Sequence, residues 1–138
     1  MSSATAEPAS PQQEALLRLL RPHWRRTRGD EPIWIACGDG WLPLITALHH
    51  ELGAVWPEYH LFEVSQKYGE LYFRVDDVPA ALEDRVRACV DAAQARALHT
   101  CETCGRPGRL GQDRGGWLEV VCEAHARAGG FAPTAASG

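Results

Sequence analysis

CETCGRPGRLGQDRGGWLEVVCEAH, residues 101–125, is the stretch whose reading decides how the last third of the chain is built. It holds two ligand pairs, Cys101-x-x-Cys104 and Cys122-x-x-His125, separated by 17 residues. A Cys-x-x-Cys turn aims two thiolates at one point, and its amides can donate to the sulfurs. Two such pairs in one short stretch are the pattern of a structural zinc site. Gly105 follows the first pair where the backbone needs a permissive angle. Gly108, Gly111, Gly115 and Gly116 suit tight loops, and Trp117, Leu118, Val120 and Val121 predict a strand that delivers Cys122. Residues 122–128 start a short helix carrying His125. Four protein ligands fill a tetrahedron and leave no position for water, so one zinc ion here stabilises and does not catalyse. A zinc deaminase needs His-x-Glu ahead of Pro-Cys-x-x-Cys, and His99-Thr100-Cys101 does not supply it.

Upstream of the site, Leu82, Val86, Cys89, Val90, Ala93 and Ala97 make a stripe at helical spacing, predicting a helix to about His99 with Asp77 as its cap and Pro79 in its first turn. With no linker after it, the metal module should be rigidly joined to that helix. Residues 60–76 alternate. Phe62, Val64, Gln66 and Tyr68 share one face, Leu71, Phe73 and Val75 another, and Gly69 lies between, which predicts a β-hairpin. Leu44, Ile45, Leu48 and Leu52 predict a helix over about 42–52, capped by Asp39 and ended by Gly53. Before it, Cys37-Gly38-Asp39-Gly40-Trp41 reads as a turn, and Ile33, Trp34 and Ile35 as a short apolar run. A first helix starts at Ser10-Pro11, with Leu16, Leu17, Leu19 and Leu20 inward and Pro22 as its limit. The expected architecture is α+β: helices packed on a β-hairpin, with a C-terminal zinc-ribbon or knuckle-like module. The expected divisions are a disordered tail at 1–10, an α+β domain at 11–99, the zinc module at 100–128 and a second tail at 129–138.

The totals narrow the function classes. The chain has 138 residues, 45% hydrophobic and 23% charged, which suits a globular protein with a modest core. A net charge of -4 argues against a general phosphate-binding surface. Five cysteines, three of them in the metal motif, fit a reducing compartment better than a disulfide scaffold. No segment approaches the roughly 20 apolar residues of a membrane span, and Met1 to Ser10 lacks the basic start and apolar run of a signal peptide. The expectation is a cytoplasmic protein with no membrane partner.

Three pieces carry a resemblance: Gly38-Asp39-Gly40-Trp41 before a helix, Lys67-Tyr68-Gly69-x-Leu71, and Cys101-Glu102-Thr103-Cys104-Gly105 with Cys122-x-x-His125. Over about residues 37–126 the chain resembles a family of small bacterial and phage-associated proteins of uncharacterised role. That family often carries a further charge and a phenylalanine where this chain has Gln66 and Tyr68. The resemblance implies the architecture and a phage or mobile-element context, and carries no activity.

Other residues compete for a role. Asp39, Glu63 and Lys67 suggest an oxygen-coordinated metal site of a hydrolase, although turn chemistry accounts for Asp39. Asp39, Trp41, Glu63, Lys67 and Tyr68 together form a candidate functional surface. Arg25, Arg26 and Arg28, beside Trp24, are candidate nucleic-acid contacts, with Arg106, Arg109 and Arg114 of the module. His49-His50-Glu51 lacks the second histidine of a zincin helix. Cys37 would be a reactive thiol only if its pKa were lowered. Five tryptophans are many for this length, and any that are exposed would mark an interaction surface. The functional expectation is a non-enzymatic interaction protein, in the manner of an immunity protein or inhibitor, binding a basic protein partner. Nucleic-acid binding is the first alternative and metal-dependent hydrolysis the second.

Overall fold

The computed structural model describes residues 9–25 and 34–134. Ser10 starts α1 (Pro11–Leu20): its hydroxyl accepts from the Gln13 amide at 3.1 Å, and Pro11 supplies a preset φ at the first helical position. Leu16, Leu17 and Leu20 bury the helix on α2 (Leu42–Val55), and a 3-10 turn, Arg21–His23, ends it at Pro22. α2 packs chiefly on α3 (Glu83–Ala97). Between these helices in sequence lies the hairpin of β1 (His60–Lys67) and β2 (Glu70–Asp76), which is antiparallel. The second sheet is antiparallel, in the order β4-β3-β5: β3 (Arg109–Gln112), β4 (Leu118–Val121) and β5 (Ala132–Pro133), with α4 (Glu123–Gly129) between β4 and β5. Four α-helices and two small antiparallel sheets among the described residues make an α+β protein, as the patterning predicts.

One core runs through both sheets and the first three helices. Trp41, Ile45, Leu52, Tyr59, Leu61 and Ala97 are fully buried in it, and Val120 of the metal module belongs to the same cluster. The far edge of β1 is occupied as well. Trp24 and Ala36 bridge Leu61 and Ser65 in parallel, with Ala36 N–H donating to the Val64 carbonyl at 3.0 Å.

Several boundaries differ from the sequence reading. α2 runs through Gly53 to Val55, and it stops where Pro57 forces the preceding residue out of the helical region. Asp39 does not cap it: a 3-10 turn, Asp39–Trp41, leads into α2 without a side-chain cap. Asp77 does not cap α3. Its φ is +54°, and the helix is entered through a third 3-10 turn, Ala80–Leu82. The β1 face is also shifted. A bulge between Leu61 and Glu63 puts Leu61 in the core with Val64 and leaves Phe62 half-buried under the Arg74 guanidinium, 5.3 Å from its ring centre. Residues 129–134, expected to be tail, close the module: Gly130 ends α4 at φ +72°, the Phe131 amide donates to the Ala126 carbonyl, and Ala132–Pro133 pair with β3. At the N-terminal end of the chain, where 1–10 was expected to be tail, Ser10 is instead the cap of α1; residues 1–8 and 135–138 lie outside the described residues, as does Ile33.

Candidate metal centre

Cys101 and Cys104 come from the turn after α3, and Cys122 and His125 from the start of α4. The second pair owes its spacing to a helix cap. Cys122 is the N-cap of α4, and its sulfur accepts from the His125 amide at 3.5 Å. That capping geometry places the residue three further on over the same helix end. His125 Nδ1 therefore stands 3.2 Å from Cys122 Sγ and 3.6 Å from Cys101 Sγ, while Cys104 Sγ lies 3.8 Å from Cys122 Sγ. All four ligand atoms lie within 4.8 Å of one another, so these side chains can hold one metal ion. Among the described residues this is the one group of three or more Cys, His, Asp or Glu side chains so arranged.

The electrostatics prepare two of the sulfurs. Burial pushes the Cys101 thiol up, but the amides of Cys104, Cys122 and Thr103 outweigh it and the net shift is downward. The His125 amide, against a smaller effect of burial, lowers Cys122. Cys104 is raised: the Arg106 amide draws it down, but burial and the neighbouring Cys101 and Cys122 sulfurs prevail.

Glu102, between the first two cysteines, ties the turn to the rest of the protein. It is 6% exposed. Its carboxylate accepts from the Gly38 amide at 2.8 Å and from Gln66 Nε2 at 3.0 Å, and its carbonyl accepts from the Gly40 amide at 2.7 Å. Burial raises its pKa, against the lowering effect of the Gly38 and Gln66 donors. Trp41 completes the joint, its indole N–H donating to the Thr100 carbonyl at 2.8 Å. The Gly-Asp-Gly-Trp turn is thus the socket of the metal turn. Glycine is required in it because the two backbones touch: a Cβ on Gly40 would meet the Cys101 carbonyl oxygen, the Gly105 amide nitrogen and the Glu102 carbonyl carbon.

The other candidate residues separate. Trp41 is fully buried and offers no surface. Asp39 is exposed and accepts from Ser10 Oγ at 3.3 Å. Glu63 pairs with Lys67 at 2.8 Å, accepts from Ser65 Oγ at 2.8 Å and has Arg74 at 3.9 Å, so its carboxylate is neutralised within its own hairpin. The Arg25 guanidinium turns back onto the carbonyls of Pro22 and Trp24, both at 3.1 Å, and Arg26 and Arg28 lie outside the described residues. Burial, followed by the charges of Glu102 and Asp39, pushes the Cys37 thiol up to about 12, the opposite of a reactive thiolate. Tyr68 is 75% exposed and Trp117 56%. The residue that sequence reasoning missed is Glu102. A carboxylate set between two thiolates is an unfavourable charge pattern unless it has donors of its own, and that was the available signal.

Comparison of the chain with protein-family models, with curated proteins and with solved structures finds no match.

Proposed function

We propose that the protein is a zinc-clamped, non-enzymatic interaction module that docks a basic protein partner through the aromatic end of its hairpin. Zinc is supported by the donor set and its spacing. Three thiolates and an imidazole suit zinc. With Zn–S of about 2.3 Å and Zn–N of about 2.0 Å, the edges of the tetrahedron are about 3.8 Å between sulfurs and about 3.5 Å between sulfur and nitrogen. The Cys104–Cys122 and Cys101–His125 separations of 3.8 Å and 3.6 Å agree with those edges. Metal analysis of protein purified under reducing conditions should give one zinc per chain, lost in Cys101→Ser. A chain folded with no zinc removes the clamp.

The observation that carries the interaction reading is Tyr68. It occupies a two-residue turn with Gly69, both at positive φ (57° and 81°), where asparagine and glycine are the residues that fit without strain. A large aromatic side chain is held there and presented to solvent. Non-glycine residues in strained backbone regions concentrate at sites with a job, and exposed tyrosine and tryptophan are the usual anchors of protein contacts. The metal module braces this display: Gly69 sits against Leu110, with the Glu119 amide 3.7 Å from where its Cβ would be. Trp117 stands at the same end, its indole N–H donating to Glu119 at 3.1 Å. The net charge of -4 favours a basic partner, the chemistry of an immunity protein or inhibitor in a phage or mobile-element setting. The test compares capture from the native host by the wild-type protein and by a Tyr68→Ala/Trp117→Ala variant with an unchanged near-ultraviolet circular dichroism signature at the remaining aromatics. A basic protein held by the first and lost by the second supports the reading. The same set of proteins on both columns defeats it.

A further inference from the structure

A second group of metal-ligand side chains lies where the turn after α1 meets α2. His23 lies flat on the ring of the fully buried Tyr59, with centroids 3.8 Å apart and planes 6° apart. Its Nδ1 is 3.0 Å from the Tyr59 main-chain oxygen. A carbonyl only accepts, so a neutral His23 carries its proton on Nδ1 and keeps a lone pair on Nε2, across the ring. His49, on α2, has its Nδ1 2.8 Å from the Tyr59 hydroxyl, and its ring centre lies 5.4 Å from that of His23 with the planes 70° apart. His50 follows, its ring centre 4.9 Å from that of His49.

We propose that His23, His49 and His50 bind a second divalent transition-metal ion, of the nickel, copper or zinc class, independently of the Cys/His centre. Two imidazoles bonded at about 2.0–2.1 Å to one tetrahedral ion keep their ring centres about 5 Å apart, and both observed separations are close to that. The outer contacts of such a site already exist. Ligating histidines normally have their other ring nitrogen held by a fixed oxygen, and Tyr59 holds both: His23 through its carbonyl and His49 through its hydroxyl. Imidazole donors without thiolates select this class of ions over magnesium or calcium. His23 and His49 are the pair whose outer contacts Tyr59 already fixes. His50 is exposed, and binding requires its ring to turn toward them; as the side chains stand, the three do not meet the close spacing of the Cys/His group.

The experiment uses untagged full-length protein whose zinc content has been counted beforehand. Equilibrium dialysis against nickel chloride at neutral pH, with metal analysis, should find one further equivalent per chain. His23→Ala and His49→Ala should each weaken that equivalent by at least about tenfold, the scale on which metal sites respond to the loss of a single interaction. His50→Ala, on an exposed position that cannot disturb the core, should do the same. With Cu²⁺ in place of nickel, the electron paramagnetic resonance spectrum should carry nitrogen hyperfine structure, lost in the His23→Ala/His49→Ala variant. No further equivalent in the wild-type protein, or wild-type nickel affinity retained in all three single variants, overturns the proposal. Because zinc is counted first, failure at the Cys/His centre is read separately.

Discussion

Two glycine-to-alanine substitutions, one in the Gly-Asp-Gly-Trp turn and one inside α2, should act in opposite directions. At Gly40 a methyl group would stand 2.6 Å from the Gly105 amide nitrogen and 2.7 Å from the Glu102 carbonyl carbon, and closer still to the Cys101 carbonyl oxygen. These are main-chain atoms of the metal turn and cannot swing aside. The Gly-Asp-Gly-Trp turn must therefore lift off, breaking the Gly40–Glu102, Gly38–Glu102 and Trp41–Thr100 hydrogen bonds. At about 1 kcal/mol each these lose roughly 3 kcal/mol, and the misfit adds about 1–3 kcal/mol. Against a domain stability of about 5–15 kcal/mol, Gly40→Ala should lose about a quarter of it or more. Gly53 lies inside α2 with nothing within 4 Å of a Cβ, so Gly53→Ala should gain about 0.5–1 kcal/mol. The assay is urea unfolding of the metal-loaded protein followed by tryptophan fluorescence, with metal release read by a chromogenic chelator. Gly40→Ala should shift the midpoint down and release metal at lower urea, and Gly53→Ala should shift it up. A Gly40→Ala protein within about 1 kcal/mol of wild type, inside the range of ordinary surface changes or mild core changes, with unchanged metal release, would refute the socket.

Removing the metal with a chelator should disturb more than the last third of the chain. Trp41 is buried beside Thr100, so its emission should move to longer wavelength as the Cys101 turn loosens; loss of metal with unchanged emission would contradict a shared core. Tyr68→Asn should raise stability by about 1 kcal/mol, since asparagine tolerates the left-handed region, and under the proposed interaction role it should also abolish partner capture; a loss of stability in the same denaturation assay would show that the tyrosine is there for packing. Glu63 is held below the usual carboxylate range mainly by the Lys67 hydrogen bond, with Ser65 and Arg74 adding and burial opposing. A depressed carboxyl stabilises above its unfolded pKa of about 4.3 and loses that as pH falls through the folded value. Glu63→Gln should accordingly flatten the acid limb of stability below about pH 4.5, by under about 1 kcal/mol at this partly exposed pair; identical limbs would assign the pair no weight.

What was legible in the sequence was local. Ser10-Pro11 announces α1, the apolar stripe of 82–97 announces α3, and the two ligand pairs announce the metal centre, because each signal lies within a turn or two of the chain. The bulge at Phe62 was not legible, since alternation cannot say which strand residue its partner skips. Nor was the run of α2 through Gly53, where burial of Leu52 and Trp56 outweighs a weak helix former. The Gly-Asp-Gly-Trp turn read as a possible working surface because its partner, Glu102, lies 64 residues from Gly38. Only the folded chain shows that those glycines answer to a backbone and not to a ligand.

That distance also sets a timetable for synthesis. At about 5–20 residues per second, the Gly38 turn leaves the ribosome several seconds before Glu102 exists to receive it, and Cys122 and His125 follow later still. Until then Trp41 has no Thr100 carbonyl to hold its indole. The last ligands made are the ones that close the centre, so an ion bound by all four side chains would mark a chain that has been made through His125 and has joined its two halves.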